Sequence, residues 1–283
     1  MLRSMYSGIG AMRNFQTKLD VIGNNIANVN TYGFKKGRTI FKDLVSQQIA
    51  GASGPTGNRG GVNPKQVGLG SQLAAIDTVH TQGSLQTTGR PLDLAISGDG
   101  FFVLGEGVNS NAIVNPVYTR AGNFYLDKQG NIVNADGLYL MGEDTAGNIS
   151  KINIPPTAES FSIGSDGTVT YVDSSGLHTA GKIQLAKFAN NDGLEKAGQN
   201  LFRETANSGS IDKGGSTGVD STDLNDPGKG GTGTIVAGTL EMSNVDLAEE
   251  FTEMIVAQRG FQANTRIITT SDEILQELVN LKK

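Results

Sequence analysis

The sequence contains no cysteine and no tryptophan, and only two of its 283 residues are histidine. Without cysteine the chain has no disulfide bond, no thiolate nucleophile and no cysteine-ligated zinc. No apolar run approaches the ~20 residues of a membrane span, and Gly, Ser or Arg interrupts every apolar run in residues 1–13. We therefore expect neither a membrane-spanning segment nor a cleaved signal peptide.

Basic residues are also in short supply. The 23 Lys and Arg are outnumbered by 28 Asp and Glu, which gives a net charge of −5. Nucleic-acid-binding domains need clustered basic residues, so we expect no nucleic acid partner. Glycine, in contrast, is abundant with 39 residues, about twice its usual share of ~7%, and this surplus indicates turn-rich β-structure.

The N-terminal segment has helical periodicity. Apolar residues recur three or four positions apart, at Leu2, Met5, Ile9, Met12, Phe15, Leu19, Ile22, Ile26 and Val29. This spacing predicts a helix from about residue 3 to about residue 29. Asn28, Asn30, Thr31 and Gly33 favour its termination there.

The C-terminal segment predicts a second, longer helix. Ser243 followed by Asp246 is typical of a capping box, and a helix of nearly 40 residues would follow it. Its apolar positions are Phe251, Met254, Phe261, Ile268, Leu275, Leu278, Val279 and Leu281. Counted as heptads, Met254 to Leu275 occupy apolar d positions, while Gln258, Thr265 and Asp272 fall at a positions.

The middle of the chain is different. Residues 51–64 are rich in Gly and Pro and predict a loop or extended arm, and residues 207–234 predict a long surface loop or linker. Between about 92 and 206, short β-type runs alternate with turns. The runs are LDLAI, FFVL, VYTRA, NFYL, NIVNADG, LYLM, FSIG, TVTYV, KIQLAKF and NLFRE. Asp127–Gly130 and Ser165–Gly167 are expected to be hairpin turns.

The predicted fold class is α+β, with paired, coiled-coil-like terminal helices, a connecting arm and a β-rich central domain. We assign residues 1–33 with 241–283 to a helical assembly domain. Residues 34–90 with 207–240 are assigned to the connecting arm and linker, and residues 91–206 to a β-rich outer domain. Isolated helices of this kind need tertiary partners: each other, the β-domain or neighbouring subunits.

No catalytic, cofactor or metal site is predicted. His80 and His178 stand beside turn signals and are expected to be solvated. Gly228–Gly233 spells GxGxxG but precedes a strand-like run, and Gly176–Lys182 spells GxxxxGK but is followed by Ile183 instead of Ser or Thr. The turns at 127–131 and 165–167 lack the carboxylates of a calcium loop. Six C-terminal carboxylates are expected on a solvated helix face: Glu249, Glu250, Glu253, Asp272, Glu273 and Glu277.

Three segments carry a family resemblance. LDVIGNNIANVNTYGFKK at 19–36 and residues 241–281 resemble the terminal motifs of rod and hook proteins of the bacterial flagellum. TGRPLDLAISGDGFF at 88–102, with YTRAGNF at 118–124, resembles the start of their common β-domain.

The resemblance implies a non-enzymatic tube subunit that is exported through the flagellar type III apparatus to the extracellular hook or basal body. The whole-chain pattern looks most like a short hook protein, whose tube transmits torque from rod to filament. A hook subunit would contact copies of itself, the distal rod protein, the hook–filament junction protein and the hook cap. The alternatives are a distal rod protein, because the chain has little room for an extra outer domain, and an extracellular β-domain binding module or adhesin.

The residues expected to form the assembly interface are those of the two helical stripes. They are Met5, Ile9, Met12, Leu19, Ile22, Ile26, Phe251, Met254, Phe261, Ile268, Leu275 and Leu278.

Overall fold

A computed structural model describes residues 2–55, 57, 59–109, 112–211 and 218–281 of the chain. The chain forms two compact units. The first comprises residues 1–27, 37–78 and 246–283, and the second comprises residues 28–36 and 79–245. The prediction of helices at both ends of a β-rich middle is confirmed.

The N-terminal helix of the first unit, α1, spans Leu2–Ala27, close to the predicted bounds. Thr31 donates its backbone N–H to the carbonyl of Asn28, and Gly33 adopts a left-handed φ of 69°. A residue with a Cβ is strained in that conformation, so the Asn and Gly residues end the helix as expected.

The C-terminal helix, α2, spans Leu247–Asn280, somewhat shorter than predicted. Asp246 is its cap, because its carboxylate accepts hydrogen bonds from the backbone N–H groups of Ala248 and Glu249. Ser243 does not cap the helix; its hydroxyl instead accepts from the N–H of Val245. The N-cap therefore lies three residues later than the predicted capping box placed it, because Asp is as good an N-cap as Ser.

The first unit also contains two antiparallel strand pairs. β1 (Gly37–Asp43) pairs with β4 (Ser71–Thr78), and β2 (Gln47–Ala50) pairs with β3 (Lys65–Val67). The Gly-rich residues 51–64 connect β2 to β3, with one isolated bridge between Ser53 and Val62.

The second unit is built on an antiparallel sheet. Its strands are β7 (Phe101–Gly105), β10 (Val117–Thr119), β11 (Tyr125–Leu126), β12 (Ile132–Val133), β13 (Tyr139–Glu143), β14 (Ile149–Lys151), β15 (Ser160–Ile163), β16 (Thr168–Asp173), β17 (Gly176–Ile183), β18 (Leu185–Ala186), β19 (Glu195–Gly198) and β20 (Leu201–Arg203). Within the described residues the main path of the sheet runs β15-β16-β17-β13-β7-β10-β20-β19, and β11, β12, β14 and β18 pair alongside.

Smaller strand pairs and one short helix complete the second unit. The pairs are β5 (Leu85–Thr87) with β22 (Thr239–Glu241), β6 (Leu94–Ser97) with β21 (Thr234–Ala237), and β8 (Gly107–Asn109) with β9 (Ala112–Val114). The short 3₁₀ helix spans Asn191–Gly193. Every predicted β-type run contains a strand, and both predicted hairpin turns lie between paired strands.

The core of the second unit lies on both faces of β7. Phe102 and Leu104 belong to one buried cluster, and Phe101 and Val103 to another. Alternate residues of a strand point to opposite faces, so a run of four apolar residues indicates a strand that is covered on both sides.

The predicted surface loop at 207–234 is partly wrong. Val219 and Leu224 are buried in the second core cluster, and Asn225 bridges to Leu185. The loop has no strand before residue 234 among its described residues, yet its few apolar side chains cover the sheet. Residues 212–217 of this segment lie outside the described part of the chain.

Candidate assembly interface

The packing face between α1 and α2 is antiparallel. Early positions on α1 meet late positions on α2: a Cβ added to Gly8 would lie 3.5 Å from Cγ1 of Ile268, and one added to Gly260 would lie 2.6 Å from Cζ of Phe15. Near the other end of the pair, the Lys18 ammonium lies 2.5 Å from the Glu253 carboxylate.

The α2 side of this face follows a regular alternation of three and four residues. Buried or half-buried residues recur along it at Glu250, Met254, Ala257, Phe261, Asn264, Ile268, Ser271 and Leu275, and the adjacent Glu253 and Gly260 are also half-buried. This is the spacing of a heptad seam. Glu250, Ala257, Asn264 and Ser271 are polar or small. The residues that alternate with them, Met254, Phe261, Ile268 and Leu275, are large and apolar.

The predicted heptad register was half right. Met254, Phe261, Ile268 and Leu275 lie on the seam as expected, but Gln258, Thr265 and Asp272 are exposed. The other seam position lies three residues after each large apolar residue, where Ala257, Asn264 and Ser271 stand. The prediction placed this second seam position four residues after each large apolar residue instead of three. The error arose because small and polar residues carry no hydrophobic signal in the sequence.

Small residues allow the two helices to approach closely. Gly260 lies directly beneath the Phe15 ring, and the Ala257 side chain is fully buried. Glycine in a helix interior is unfavourable by ~1 kcal/mol relative to alanine, so Gly260 gives up helix stability in exchange for room for an aromatic ring.

Polar contacts close one end of the helix pair. The Asn25 amide donates to Glu250 Oε2 at 3.1 Å and to the Gly37 carbonyl at 2.9 Å, and its oxygen accepts from the Gly37 N–H. Asn25 thereby joins α1, α2 and β1.

Glu250 is only 5% exposed, so the prediction of a solvated Glu250 is wrong. The helix dipole explains why a Glu is favourable in the first turn of α2. The burial of Glu250, however, depends on its hydrogen bond with Asn25, which is distant in the sequence.

The other C-terminal carboxylates behave more nearly as predicted. Glu249, Asp272, Glu273 and Glu277 are exposed. Glu253 is half-exposed and paired with Lys18, a contact worth ~0–1 kcal/mol at a solvated surface.

The predicted interface residues differ in exposure. Ile22 is buried, whereas Ile9 and Phe251 are 37% and 50% exposed. The half-buried members are Met5, Met12, Leu19, Ile26, Met254, Phe261, Ile268 and Leu275. The side chain of Leu278 lies outside the described part of the structure.

A second set of apolar residues, three on α2 and one at its C-cap, is exposed. Val256, Ile267, Ile274 and Leu281 are spaced by eleven, seven and seven residues and are all exposed. At 3.6 residues per turn these positions fall on one side of the helix, and we call them the outer stripe. Sequence reasoning missed the outer stripe because the stronger inner stripe accounted for the periodicity.

Exposed apolar residues also occur on the strand pairs of the first unit and in the segments that connect their strands. Val45, Ile49, Val62 and Ile76 are each at least half exposed. A two-stranded hairpin is marginally stable in water by itself, and contiguous exposed apolar surface marks an interaction site.

His80 does not have the solvated environment that was predicted. Its ring packs against Phe101 and Phe202, with centroids 5.7 and 5.5 Å away, and both ring nitrogens are buried. Burial, and then the positive charge of Lys35, lowers the pKa of His80 to about 4. The ring is therefore neutral near pH 7 and serves as part of the core.

His178 is exposed, as predicted, and lies on strand β17 near Asp173 and Ser175 of the β16–β17 turn. Ser175 Oγ lies 3.0 Å and Asp173 Oδ1 3.3 Å from the same nitrogen, His178 Nε2. A nucleophilic triad needs the acid on one ring nitrogen and the serine on the other. The Ser175 hydroxyl also donates directly to Asp173, so these three residues form a turn network and not a triad.

The remaining nucleotide-like patterns also have structural explanations. The glycine-rich residues 228–233 precede strand β21 and no helix, as predicted. Gly176–Lys182 lies within strand β17 itself. Among the described residues no cluster of His, Asp or Glu has the arrangement of a metal site, and no described helix is both long and apolar enough to cross a membrane.

Three family models match this chain. Residues 5–35 match the flagella basal body rod protein model, and residues 95–171 match the flagellar hook protein FlgE/F/G D1 domain. Residues 236–281 match the flagellar basal body rod FlgEFG protein C-terminal model. The matched segments include most of α1, the centre of the β-sheet and nearly all of α2.

Full-length relatives give a finer comparison. The chain is 57% identical to the flagellar basal-body rod protein FlgG of Bacillus subtilis (strain 168), over all of both chains. It is 38% identical to FlgG of Caulobacter vibrioides over 99% of this chain and 98% of that protein. The flagellar hook protein FlgE of Borreliella burgdorferi is 32% identical over all of both chains. These full-length matches establish that the chain belongs to the family of flagellar basal-body rod and hook proteins.

Proposed function

We propose that this chain is a structural subunit of the distal rod of the flagellar basal body. The observation that carries the proposal is the 57% identity to a basal-body rod protein over the whole of both chains. The alignment with the Borreliella hook protein extends over 458 positions, far more than the 283 residues of this chain. The preference for a hook subunit is therefore replaced by the alternative.

The proposed mechanism is heterologous self-association. A patch on one subunit meets a different patch on the next, and a rotation that does not close generates an open helical tube. The helices α1 and α2 would form the assembly domain, supercoiled along their heptad seam. The predicted interface residues on the seam would hold the pair together, and the outer stripe would bury against neighbouring copies.

The energy available from the outer stripe is substantial. Full burial of a large aliphatic side chain stabilises by roughly 1.5–3 kcal/mol. Val256, Ile267, Ile274 and Leu281 are all exposed, so each could contribute a fraction of that amount at a subunit boundary. The exposed residues of the strand pairs would add to it through the arm.

The proposed partners follow from the rod assignment. The subunit would contact other copies of itself and the adjoining rod and hook segments, and it would leave the cell through the flagellar type III apparatus without a cleaved signal peptide. The junction protein and hook cap belonged to the hook interpretation and are not part of the proposal. The role is structural and non-enzymatic.

Electron microscopy of polymers formed by the purified full chain tests this assignment. A distal rod subunit should form straight, rigid tubes, whereas uniformly curved tubes would contradict it. Ile274→Ser should raise the critical concentration for polymerisation because it removes apolar surface from the outer stripe. Thr270→Ser is the matched control, since it alters an exposed position of the same helix and retains the hydroxyl.

A further inference from the structure

The chain passes between its two units four times, after residues 27, 36, 78 and 245. On the side of the second unit these passages lead into three segments, residues 28–36, 79–83 and 241–245, which we call the crossing segments. Any load that travels along the covalent chain between the units must enter the second unit through them.

Glu241, which lies in the third crossing segment, contacts residues of the other two. Its Oε1 accepts from Lys35 Nζ at 2.6 Å and from the backbone N–H of Gly83 at 3.0 Å. Its Oε2 lies 3.4 Å from Arg120 Nη1, and its backbone carbonyl accepts from Gly33 N–H. One residue therefore joins the three crossing segments to each other and to Arg120, which directly follows strand β10.

Asn244, three residues after Glu241, also contacts all three crossing segments. Its side-chain oxygen accepts from the N–H of Lys36 at 2.8 Å, and its amide donates to the carbonyl of Val79 at 2.8 Å and to the Thr81 hydroxyl at 2.9 Å. The Asn244 N–H donates to the carbonyl of Phe34. Asn244 thus ties the same three segments without using charge.

The charges of this cluster are withdrawn from water. The side chains of Lys35 and Glu241 are fully buried and that of Arg120 is nearly so. Burial lowers the pKa of Lys35 and of Arg120, and the nearby Glu241 carboxylate opposes the shift in both. Removing one partner from such a group leaves the others buried and unpaired, which is strongly destabilising.

Lys35 makes two further contacts. Its ammonium donates to the carbonyl of Thr81 in the second crossing segment at 2.8 Å, and its own carbonyl accepts from Nζ of Lys196 on β19 at 3.1 Å. The Lys196 ammonium lies 5.1 Å from the centre of the Phe34 ring. The first crossing segment is therefore held both by the second crossing segment, through Thr81, and by strand β19, through Lys196.

We propose that Glu241 and Asn244 form a buried lock that clamps all four chain passages to the β-sheet unit. This lock would let the subunit transmit load without local unfolding at the passages. The load-bearing role rests on the proposed rod function, but the lock itself is a property of the isolated chain.

Hydrogen exchange of the full-length monomer tests the lock directly. In Glu241→Gln the exchange of the Gly83 and Gly33 amides should accelerate on the order of tenfold or more, because the charge that satisfies Lys35 and Arg120 is lost. The amides of β7 should keep their protection. In Glu195→Gln, an exposed Glu on β19 of the same unit, neither set should change.

Asn244→Ala provides a second, milder test if Glu241→Gln fails to fold. It should accelerate exchange at Lys36, whose N–H loses its acceptor, while the Gly83 amide bonded to Glu241 remains protected. An unchanged rate at Lys36, or an equal acceleration across β7 and the crossing segments, would overturn the lock.

The load-bearing role has a separate readout. Cells carrying Asn244→Ala should assemble flagella but lose swimming speed in viscous medium relative to Glu195→Gln cells. Normal swimming under load, with the exchange result intact, would refute the mechanical role alone. Failure of the rod assignment would leave the exchange result unaffected.

Discussion

Gly260→Ala is the substitution that most sharply probes the contact between the terminal helices. An alanine in a helix interior is favoured over glycine by ~1 kcal/mol. The new Cβ, however, would lie 2.6 Å from Cζ and 2.7 Å from Cε1 of Phe15, well inside the ~3.5–4.0 Å of a favourable carbon contact. Overpacking of this kind destabilises by ~1–3 kcal/mol, so the net loss should be about 1 kcal/mol.

The critical concentration for polymerisation of the full chain measures this loss. A free-energy change of ~1.4 kcal/mol corresponds to a factor of ten, so Gly260→Ala should raise the critical concentration roughly fivefold. Adding Phe15→Leu should remove part of the penalty, because the smaller side chain vacates the space above residue 260.

Gly23→Ala is the matched control on the other helix. Gly23 also lies in a helix interior, but no atom lies within 4 Å of its added Cβ. The control should therefore show only the gain in helix propensity. If Gly260→Ala lowered the critical concentration as much as Gly23→Ala, the close packing of the two helices would be refuted.

Three further predictions concern the helices and the core. Phe261→Ala and Leu275→Ala should each raise the critical concentration, by an energy approaching the ~2–5 kcal/mol of a buried site, while Glu277→Ala should leave it unchanged; the reverse order would mean that the helix faces are misassigned. His80 has a folded pKa of about 4 against an ordinary 6.5, so the folded state binds fewer protons, and stability should fall as the pH drops from about 6.5 to about 4. The loss is at most about 3 kcal/mol, reduced by solvent at this half-buried residue, and urea titrations should show it disappear in His80→Phe. Proteolysis of the verified monomer should remove the terminal helices and leave a resistant core near residues 28–245, because the terminal stripes gain their partners on assembly; equal protection of both ends would contradict this.

The terminal helices were predictable because their signals are local. Apolar spacing of three and four residues, together with the Asn and Gly residues after Ala27, determines α1 without tertiary information. The runs of the β-sheet were equally legible, since FFVL and TVTYV are bounded by turn residues. Strands β2 and β3 were missed because all their residues are exposed, so their sequence has no apolar alternation. Strand β1 was missed because two of its half-buried positions are Gly37 and Thr39, which carry no hydrophobic signal.

The buried polar residues could not be predicted from the sequence. Lys35 and Glu241 are 206 positions apart, and Asn25 and Glu250 are 225 apart. A buried charge is tolerated only where a partner is supplied by the fold, and nothing near Glu241 in the sequence indicates Lys35. His80 was misassigned for the same reason, because its aromatic neighbours lie on distant strands.

The sequence could not decide between hook and rod for a different reason. Both kinds of protein contain the terminal helix motifs, so these segments identify the family without separating its members. The modest length of 283 residues was the more informative feature, because it leaves no room for the large insertion of the Borreliella hook protein.

Deletion of the gene, followed by electron microscopy of the basal structures that remain, tests the proposed function most directly. A distal rod subunit predicts truncated rods that carry no hook, and complementation with the intact gene should restore both. Completed rods that lack only the hook would contradict the assignment and would return the chain to the hook proteins of the same family.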